Sequence, residues 1–461
     1  MTVPDKFVYP VMKAMFCLPL VHNKEVRGCV YLHQRESRTC VPQFPHYLSN
    51  IFIIPELKGT TLVDLSQSQI KSHNWNRRSM IRHSQSLAQP QSFHEVSFVD
   101  EEGRTMTARG PVVQELVRHG LQQLPARFLR DAPPPALVDH RELESMALID
   151  MAKLSPEADP SSRAEELRRL AASAESWGMF FVTGHGVPLP LMASLAEVLK
   201  AFFMLSLEEK RASVGSYKDI DNLGYGRSFV KSEDQKLDWV DRLAMRVHPN
   251  QDSLGLRLWP QTPVDFRPVV EKYVEAARRD CDILLQALPE ALMLERQSFL
   301  EQFQPCSELI VNVRNNYYPP CPCPSSSVGL SPHTDASAVT VLAQFDGVQG
   351  LEVLRRGRWV RAPAPEGALL VVAGDLLEIM SNGRVASPWH RAMPSADRER
   401  FSVALFYNPP PRAEIGPVVG GGSGAKPVYR KVVVEDYVKN SYTFFNAGEK
   451  TPIKYAKIEA N

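Results

Sequence analysis

His333 and Asp335 stand two residues apart, and His390 follows in Ser387-Pro388-Trp389-His390-Arg391. No other feature of the chain constrains its fold as tightly. Side chains at i and i+2 leave the same face of an extended segment, so one strand can offer two ligands to one metal. A third ligand must then come from a neighbouring strand, reached across a turn. The intervening sequence supplies one: residues 369–373 and 376–380 read as short buried strands, and Asn382-Gly383 reads as a hairpin turn before the chain returns to His390.

Two imidazoles and one carboxylate make a facial donor set, which leaves three positions of a non-haem Fe(II) open for a co-substrate and dioxygen. An H-x-D tripeptide alone is weak, because most such tripeptides are accidents of surface composition. Its weight comes from the distal His and from the strand that follows. Arg400, Ser402, Ala404 and Phe406 alternate with Phe401, Val403, Leu405 and Tyr407, so the guanidinium and the hydroxyl share one face. A fork of N–H donors beside a hydroxyl, in an enclosed pocket, suits the far carboxylate of a dicarboxylic ligand. Taken alone, Arg400 reads as a solvated charge on an edge strand; its position shortly after the distal His favours the pocket. Upstream, a strand over 309–318 ends at Pro319-Pro320-Cys321-Pro322 and places Asn316 and Tyr318 on one face, where polar groups orient a ligand from the other end.

These fragments together resemble one family. Asn316-Tyr317-Tyr318-Pro319-Pro320-Cys321-Pro322, His333-Thr334-Asp335, the run from Gly374 to Gly383, His390-Arg391 and Arg400-Phe401-Ser402 look like the plant 2-oxoglutarate/Fe(II)-dependent dioxygenases, which share the fold of isopenicillin N synthase. The run from Trp177 to Val187 resembles the family's N-terminal signature, with Gly184 where Asn is usual. Gly224-Tyr225-Gly226 and the run from Ser232 to Trp239 are similar to the subgroup of senescence-related oxygenases, alkaloid O-demethylases and norcoclaurine-synthase-like enzymes. The likeness extends from about residue 113 to 458.

The resemblance implies a double-stranded β-helix (jelly roll) core flanked by helices, a mainly β fold with a helical N-terminal part. It implies that His333, Asp335 and His390 hold Fe(II). It also implies that 2-oxoglutarate chelates the iron through its keto-acid end and sets its distal carboxylate on Arg400 and Ser402, helped by Asn316 and Tyr318. Dioxygen would then drive decarboxylation to succinate and CO2 and hydrogen abstraction from an organic substrate, with ascorbate as a reductant. Iron carries the hard chemistry, and the protein supplies position and a dry pocket.

Composition agrees. At 461 residues the chain can bury a large core. A formal charge of +1 and the absence of a basic stripe remove the electrostatic case for a nucleic-acid partner. No apolar run approaches the roughly twenty residues that span a bilayer, and the first residues lack the organisation of a signal or transit peptide. The expectation is a cytoplasmic monomer whose partner is a small molecule. Of seven cysteines, Cys321 and Cys323 flank Pro322, but no second Cys or His pair stands at zinc spacing, so reduced thiols are expected. Residues 420–424 lack the Lys-Ser/Thr of a phosphate loop and read as a flexible connection.

Four regions follow. Residues 1–110 show short apolar pieces and Ser/Gln-rich stretches without periodicity, an atypical extension that reads as disordered or as an artefact of gene assembly. Residues 111–300 read as mainly helical: Val113, Leu116, Val117 and Leu121 share a face, Ser206 and Glu209 form a capping box, and Val270, Tyr273, Val274, Ala277, Cys281 and Leu284 follow helical spacing. Residues 301–415 form the Fe(II)/2-oxoglutarate core, and 416–461 a loop and closing helix. Tyr442, Phe444 and Phe445 on that helix either line the substrate entrance or pack on the barrel. His185 reads as a satisfied core His rather than a fourth ligand. Two other functions remain open here: an iron oxidase that does not use 2-oxoglutarate, and a non-catalytic small-molecule receptor on the same scaffold.

Overall fold

The computed structural model of the protein describes residues 16–22, 25–32, 93–99, 104–131, 146–214, 223–226, 230, 232, 234–248, 259–345, 347–420, 426–444 and 451–458. By contacts the chain divides into residues 1–84 and 85–461. In the first unit, β1 (Phe16–His22) and β2 (Glu25–Leu32) pair as an antiparallel hairpin.

The second unit opens with another antiparallel hairpin, β3 (Phe93–Val99) and β4 (Thr105–Pro111). Then come β5 (Leu148–Asp150), β6 (Met179–Thr183), β7 (Gly224–Gly226), β8 (Asp241–His248) and β9 (Ile310–Tyr318). The remaining strands of the two main sheets are β10 (Leu330–His333), β11 (Val339–Gln344), β12 (Leu351–Arg355), β13 (Arg358–Arg361), β14 (Leu369–Ala373), β15 (His390–Ala392) and β16 (Arg400–Asn408). Eight of them form a large sheet in the order β5-β6-β14-β11-β16-β9-β8-β7, and four form a smaller one, β10-β15-β12-β13. This is the architecture of a jelly-roll core with added edge strands.

Alternation along the strands sets up two apolar layers. Val339, Val341, Leu369, Val371 and Leu405 point to the helical side, where they pack with Val270, Tyr273, Val274, Ala277, Cys281 and Leu284 of the helix Phe266–Ala291. Each such side chain contributes roughly 1.5–3 kcal/mol on burial. Met179, Phe181, Leu370 and Val372 point the other way, against Leu351, Val353 and Val360 of the smaller sheet. The cavity described below opens between the two sheets. The capping box forms as the sequence predicts: the Ser206 N–H donates to Glu209 Oε2 at 2.8 Å, and the Glu209 N–H donates to Ser206 Oγ at 3.2 Å.

Three differences from the sequence-based expectation have physical causes. Residues 376–380 are not a strand but part of a short helix, Asp375–Met380, whose residues are all buried. A short apolar run enclosed on every side carries no period that separates strand from helix. Asn382 and Gly383 accordingly end that helix instead of turning a hairpin: both have positive φ (53° and 80°), and the Gly383 N–H donates to Glu378 O at 2.8 Å. Residues 111–300 are less uniformly helical than their periodicity suggests, because β6 and β8 extend the large sheet at β14 and β9.

The third difference concerns the boundary at residue 110. Ala108 of β4 is buried in a cluster with Val113, Phe128, Leu237, Trp239 and Cys321. His94 of β3 sets its ring edge-on to Tyr225, with centroids 5.0 Å apart. Gly226 has φ of 142°, and a Cβ there would sit 3.0 Å from the His94 ring, so this approach depends on a glycine. The β3–β4 hairpin is therefore part of the fold and not of an extension. The other expectations for residues 1–110, disorder or an assembly artefact, fall outside the described residues, as do residues 421–425 and the side chains of Tyr442, Phe444 and Phe445.

Candidate active site

His333 ends β10 and His390 begins β15, and the two are direct cross-strand partners. Asp335 lies just beyond β10, where its carbonyl accepts the Asp375 N–H at 2.7 Å from the start of the short helix. The two-residue spacing thus spans a strand end. His333 Nε2 and His390 Nε2 lie 3.6 and 3.8 Å from Asp335 Oδ1. The three ligand atoms all fall within 4.8 Å of one another, and all three residues are buried.

Each ring has its tautomer fixed. His333 Nδ1 lies 2.9 Å from Ser331 O and His390 Nδ1 lies 3.1 Å from Pro388 O. A carbonyl only accepts, so each Nδ1 carries the proton and each Nε2 presents a lone pair to the shared centre. Burial, and next the adjacent His390, hold the His333 imidazole well below the usual histidine range. It is neutral, as a metal ligand must be. Two imidazole nitrogens and a carboxylate on one centre fit Fe(II) with open positions.

Sequence-distant groups brace this arrangement. Asp238 accepts the Ser331 N–H at 3.1 Å and the Ser331 hydroxyl at 2.5 Å, and pairs with Arg130 at 2.6 Å. It thereby fixes the carbonyl that orients His333. Beside His390, Arg391 pairs with Glu352 at 2.7 Å and lies over the Trp359 ring at 4.2 Å.

The large sheet supplies the opposite wall. β16 and β9 run antiparallel through nine paired positions, with Arg400 opposite Tyr318 and Ser402 opposite Asn316. All four expected anchor residues line one cavity, partly open to solvent, together with the triad. Arg400 is only 2% exposed, and burial lowers its proton affinity. Its guanidinium lies over the Tyr318 ring at 5.0 Å and donates through Nη2 to Gln344 Oε1 at 2.8 Å, while Nε and Nη1 have no hydrogen-bond partner among the described residues. A buried cation with unused donors is a receptor for an anion. Sequence reasoning missed Gln344; its signal was the last position of the strand 339–344, which register places opposite Ser402. His185 stands apart from the cavity, half-buried after β6, with Nε2 2.9 Å from Gly367 O.

The profile of the 2OG-Fe(II) oxygenase superfamily matches residues 310–409, and that of the non-haem dioxygenase in morphine synthesis N-terminal region matches 146–262. The 2-oxoglutarate-dependent dioxygenase 11 of Oryza sativa subsp. japonica is 36% identical over 326 residues, 70% of this chain and 88% of its own. The chain belongs to the 2-oxoglutarate/Fe(II)-dependent oxygenase superfamily. Codeine O-demethylase of Papaver somniferum is 34% identical over 319 residues, 67% of this chain and 85% of its own. The crystal structure of JOX2 in complex with 2OG, Fe and JA superposes with a TM-score of 0.65 at 27% identity, covering 75% of this chain and 97% of that one. As a member of this superfamily the protein is an oxidoreductase, a 2-oxoglutarate-dependent dioxygenase that uses Fe(II) and dioxygen.

Proposed function

We propose that this dioxygenase oxidises a small, aromatic or otherwise apolar specialised metabolite or hormone by hydroxylation, demethylation or desaturation, releasing succinate and CO2. The observation that carries this reading is the single cavity in which three convergent ligand atoms face a buried arginine with unused donors. His333 and His390 would hold iron through Nε2, and Asp335 through its carboxylate. When bound there, Fe(II) supplies the activation of dioxygen coupled to decarboxylation of 2-oxoglutarate. Arg400 and Ser402, with Asn316 and Tyr318 across the ladder, bind the distal carboxylate and so set the direction of the co-substrate. Met179, Leu342, Leu351, Val372 and Phe406 line the rest of the cavity. They give an organic substrate an apolar bed and exclude water. The name of the relative that demethylates codeine supports a metabolite of this kind.

The test is release of succinate and CO2 by the Fe(II)-loaded chain across a panel of phenolic and other apolar substrates. Substrate oxidation that proceeds without 2-oxoglutarate would assign an oxidase instead. Tight substrate binding with no consumption of oxygen or 2-oxoglutarate would assign a receptor.

A further inference from the structure

Two of the three triad ligands lean on one short helix, Asp375–Met380. At its start three backbone N–H groups donate to the segment that carries Asp335: Asp375 to Asp335 O at 2.7 Å, Gly374 to Ala338 O at 3.0 Å and Leu376 to Ser337 O at 3.1 Å. The approach is close, since a Cβ on Gly374 would fall 1.9 Å from Ser337 O. One turn further on, Glu378 Oε2 accepts the Ser387 N–H at 2.6 Å. The next carbonyl along the chain, that of Pro388, is the one that orients His390. The helix is thus a platform for the backbone of both Asp335 and His390.

The platform is fastened from its far side. Asp375 and Glu378 are 1% and 5% exposed, and buried carboxylates need donors. The C-terminal segment brings one to each. Tyr437, on the helix Val434–Phe444, donates its hydroxyl to Asp375 Oδ2 at 2.9 Å. Tyr429 donates to Glu378 Oε1 at 2.6 Å and packs its ring on Gly383, where a Cβ would meet Tyr429 Cε2 at 3.2 Å. Both tyrosines are buried, and neither is among the residues that line the cavity. Apolar packing at either position asks only for a ring; the hydroxyl is what engages the carboxylate.

We propose that Tyr429 and Tyr437 are positioning residues for the iron site. Through Glu378 and Asp375 they hold the helix 375–380 where it fixes Asp335 and His390, so docking of the C-terminal segment is coupled to convergence of the ligands. The proposal rests on the dioxygenase reading above, which assigns the metal to the triad.

Tyr437→Phe and Tyr429→Phe each remove one hydroxyl and keep the ring. Fe(II) is titrated anaerobically into the full chain by calorimetry, and the visible absorption of the Co(II)-loaded chain reports the ligand geometry; no turnover is needed. Each variant is expected to bind Fe(II) about ten-fold more weakly, the low end of what outer partners of metal ligands contribute, with an altered Co(II) spectrum. Val434→Ala trims a buried apolar side chain on the same C-terminal helix, outside the hydroxyl–carboxylate chain. It should lower the melting temperature and leave Fe(II) affinity and the Co(II) spectrum unchanged. The proposal is overturned if both Phe variants bind Fe(II) like the unmodified chain, however far their melting temperatures fall. It is also overturned if Val434→Ala weakens Fe(II) as much as they do, because general loosening of the C-terminal segment would then suffice. Failure of the unmodified chain to bind Fe(II) would instead overturn the dioxygenase reading, and this proposal with it.

Discussion

Two walls of the cavity each bury an arginine, and they treat it differently. On the smaller sheet, Arg391 is held by Glu352 and stacks on Trp359. On the large sheet, Arg400 is equally buried, yet its polar contacts among the described residues are Gln344 and Tyr318, and Nε and Nη1 have no partner there. Burying a charge is costly unless it is paired. A satisfied buried cation therefore holds structure together, and an unsatisfied one marks where a ligand completes the interior.

On the proposed function, the smaller sheet carries structure and metal and the larger sheet the co-substrate, so variants on the two walls should fail in different ways. The largest effect belongs to the triad. His333→Ala, Asp335→Ala or His390→Ala should each abolish turnover and strongly weaken Fe(II) binding, because three ligands leave no redundancy. Calorimetry that finds Fe(II) affinity unchanged in all three would sink the assignment. Next comes Glu352→Ala, which strands Arg391 beside His390 without its carboxylate. Removing one partner of a buried pair costs about 3–5 kcal/mol, so chemical denaturation should show a loss of that size. A loss below about 1 kcal/mol would mean that the pair is hydrated, and the contrast between the walls would fail.

How far each wall was legible from sequence follows from the distances over which its chemistry is written. The ligands of the smaller sheet announce themselves locally, through an i, i+2 pair and one distal His. Arg400 and Ser402 likewise declare a face by alternation. What completes the site is non-local: Gln344 meets Arg400 across 56 positions, and Glu352 meets Arg391 across 39. Neither partner carries a motif, because only strand register brings it into place. The helix at 375–380 was misread for a different reason, since burial on all sides erases the periodic signal. The β3–β4 hairpin was missed because few of its described side chains bury, and Ala108 and His94 do so against partners such as Trp239 and Tyr225 that lie far along the chain.

Arg400→Leu tests the large-sheet wall directly. A lost charge-assisted contact is worth roughly 1.5–3 kcal/mol, so the KM for 2-oxoglutarate should rise about ten- to a hundred-fold with Fe(II) affinity intact. Because the cation is unsatisfied before the ligand arrives, the ligand-free variant should melt no lower than the parent. It should also lose the added stability that 2-oxoglutarate confers on the parent. Unaltered 2-oxoglutarate kinetics would place the anchor elsewhere or favour the oxidase.

Another buried cation, away from the cavity, sets the scale of the contrast. Lys210 is fully buried, donates to Gln114 Oε1 and lies 5.2 Å from the Tyr225 ring centroid. Burial pushes its pKa from 10.5 down to about 8, only partly opposed by the charge of Asp241. Between pH 8 and 10.5 the unfolded chain therefore holds a proton on this lysine that the folded chain has released. Stability attributable to Lys210 must rise with pH across that window and lie at its minimum below pH 8. The full difference is of order 3 kcal/mol at about 1.4 kcal/mol per unit. In Lys210→Met the desolvated charge is gone, but Gln114 Oε1 loses its donor, at a cost of about 1–3 kcal/mol. At pH 7 the two terms should offset to within about 1 kcal/mol, the smallest effect in the series. The variant should then lose ground steadily to the parent as the pH climbs from 8 to 10.5. Parallel denaturation midpoints for the two proteins across that range would show that the lysine is solvated, and would leave Arg400 as a solitary case instead of one end of a trend.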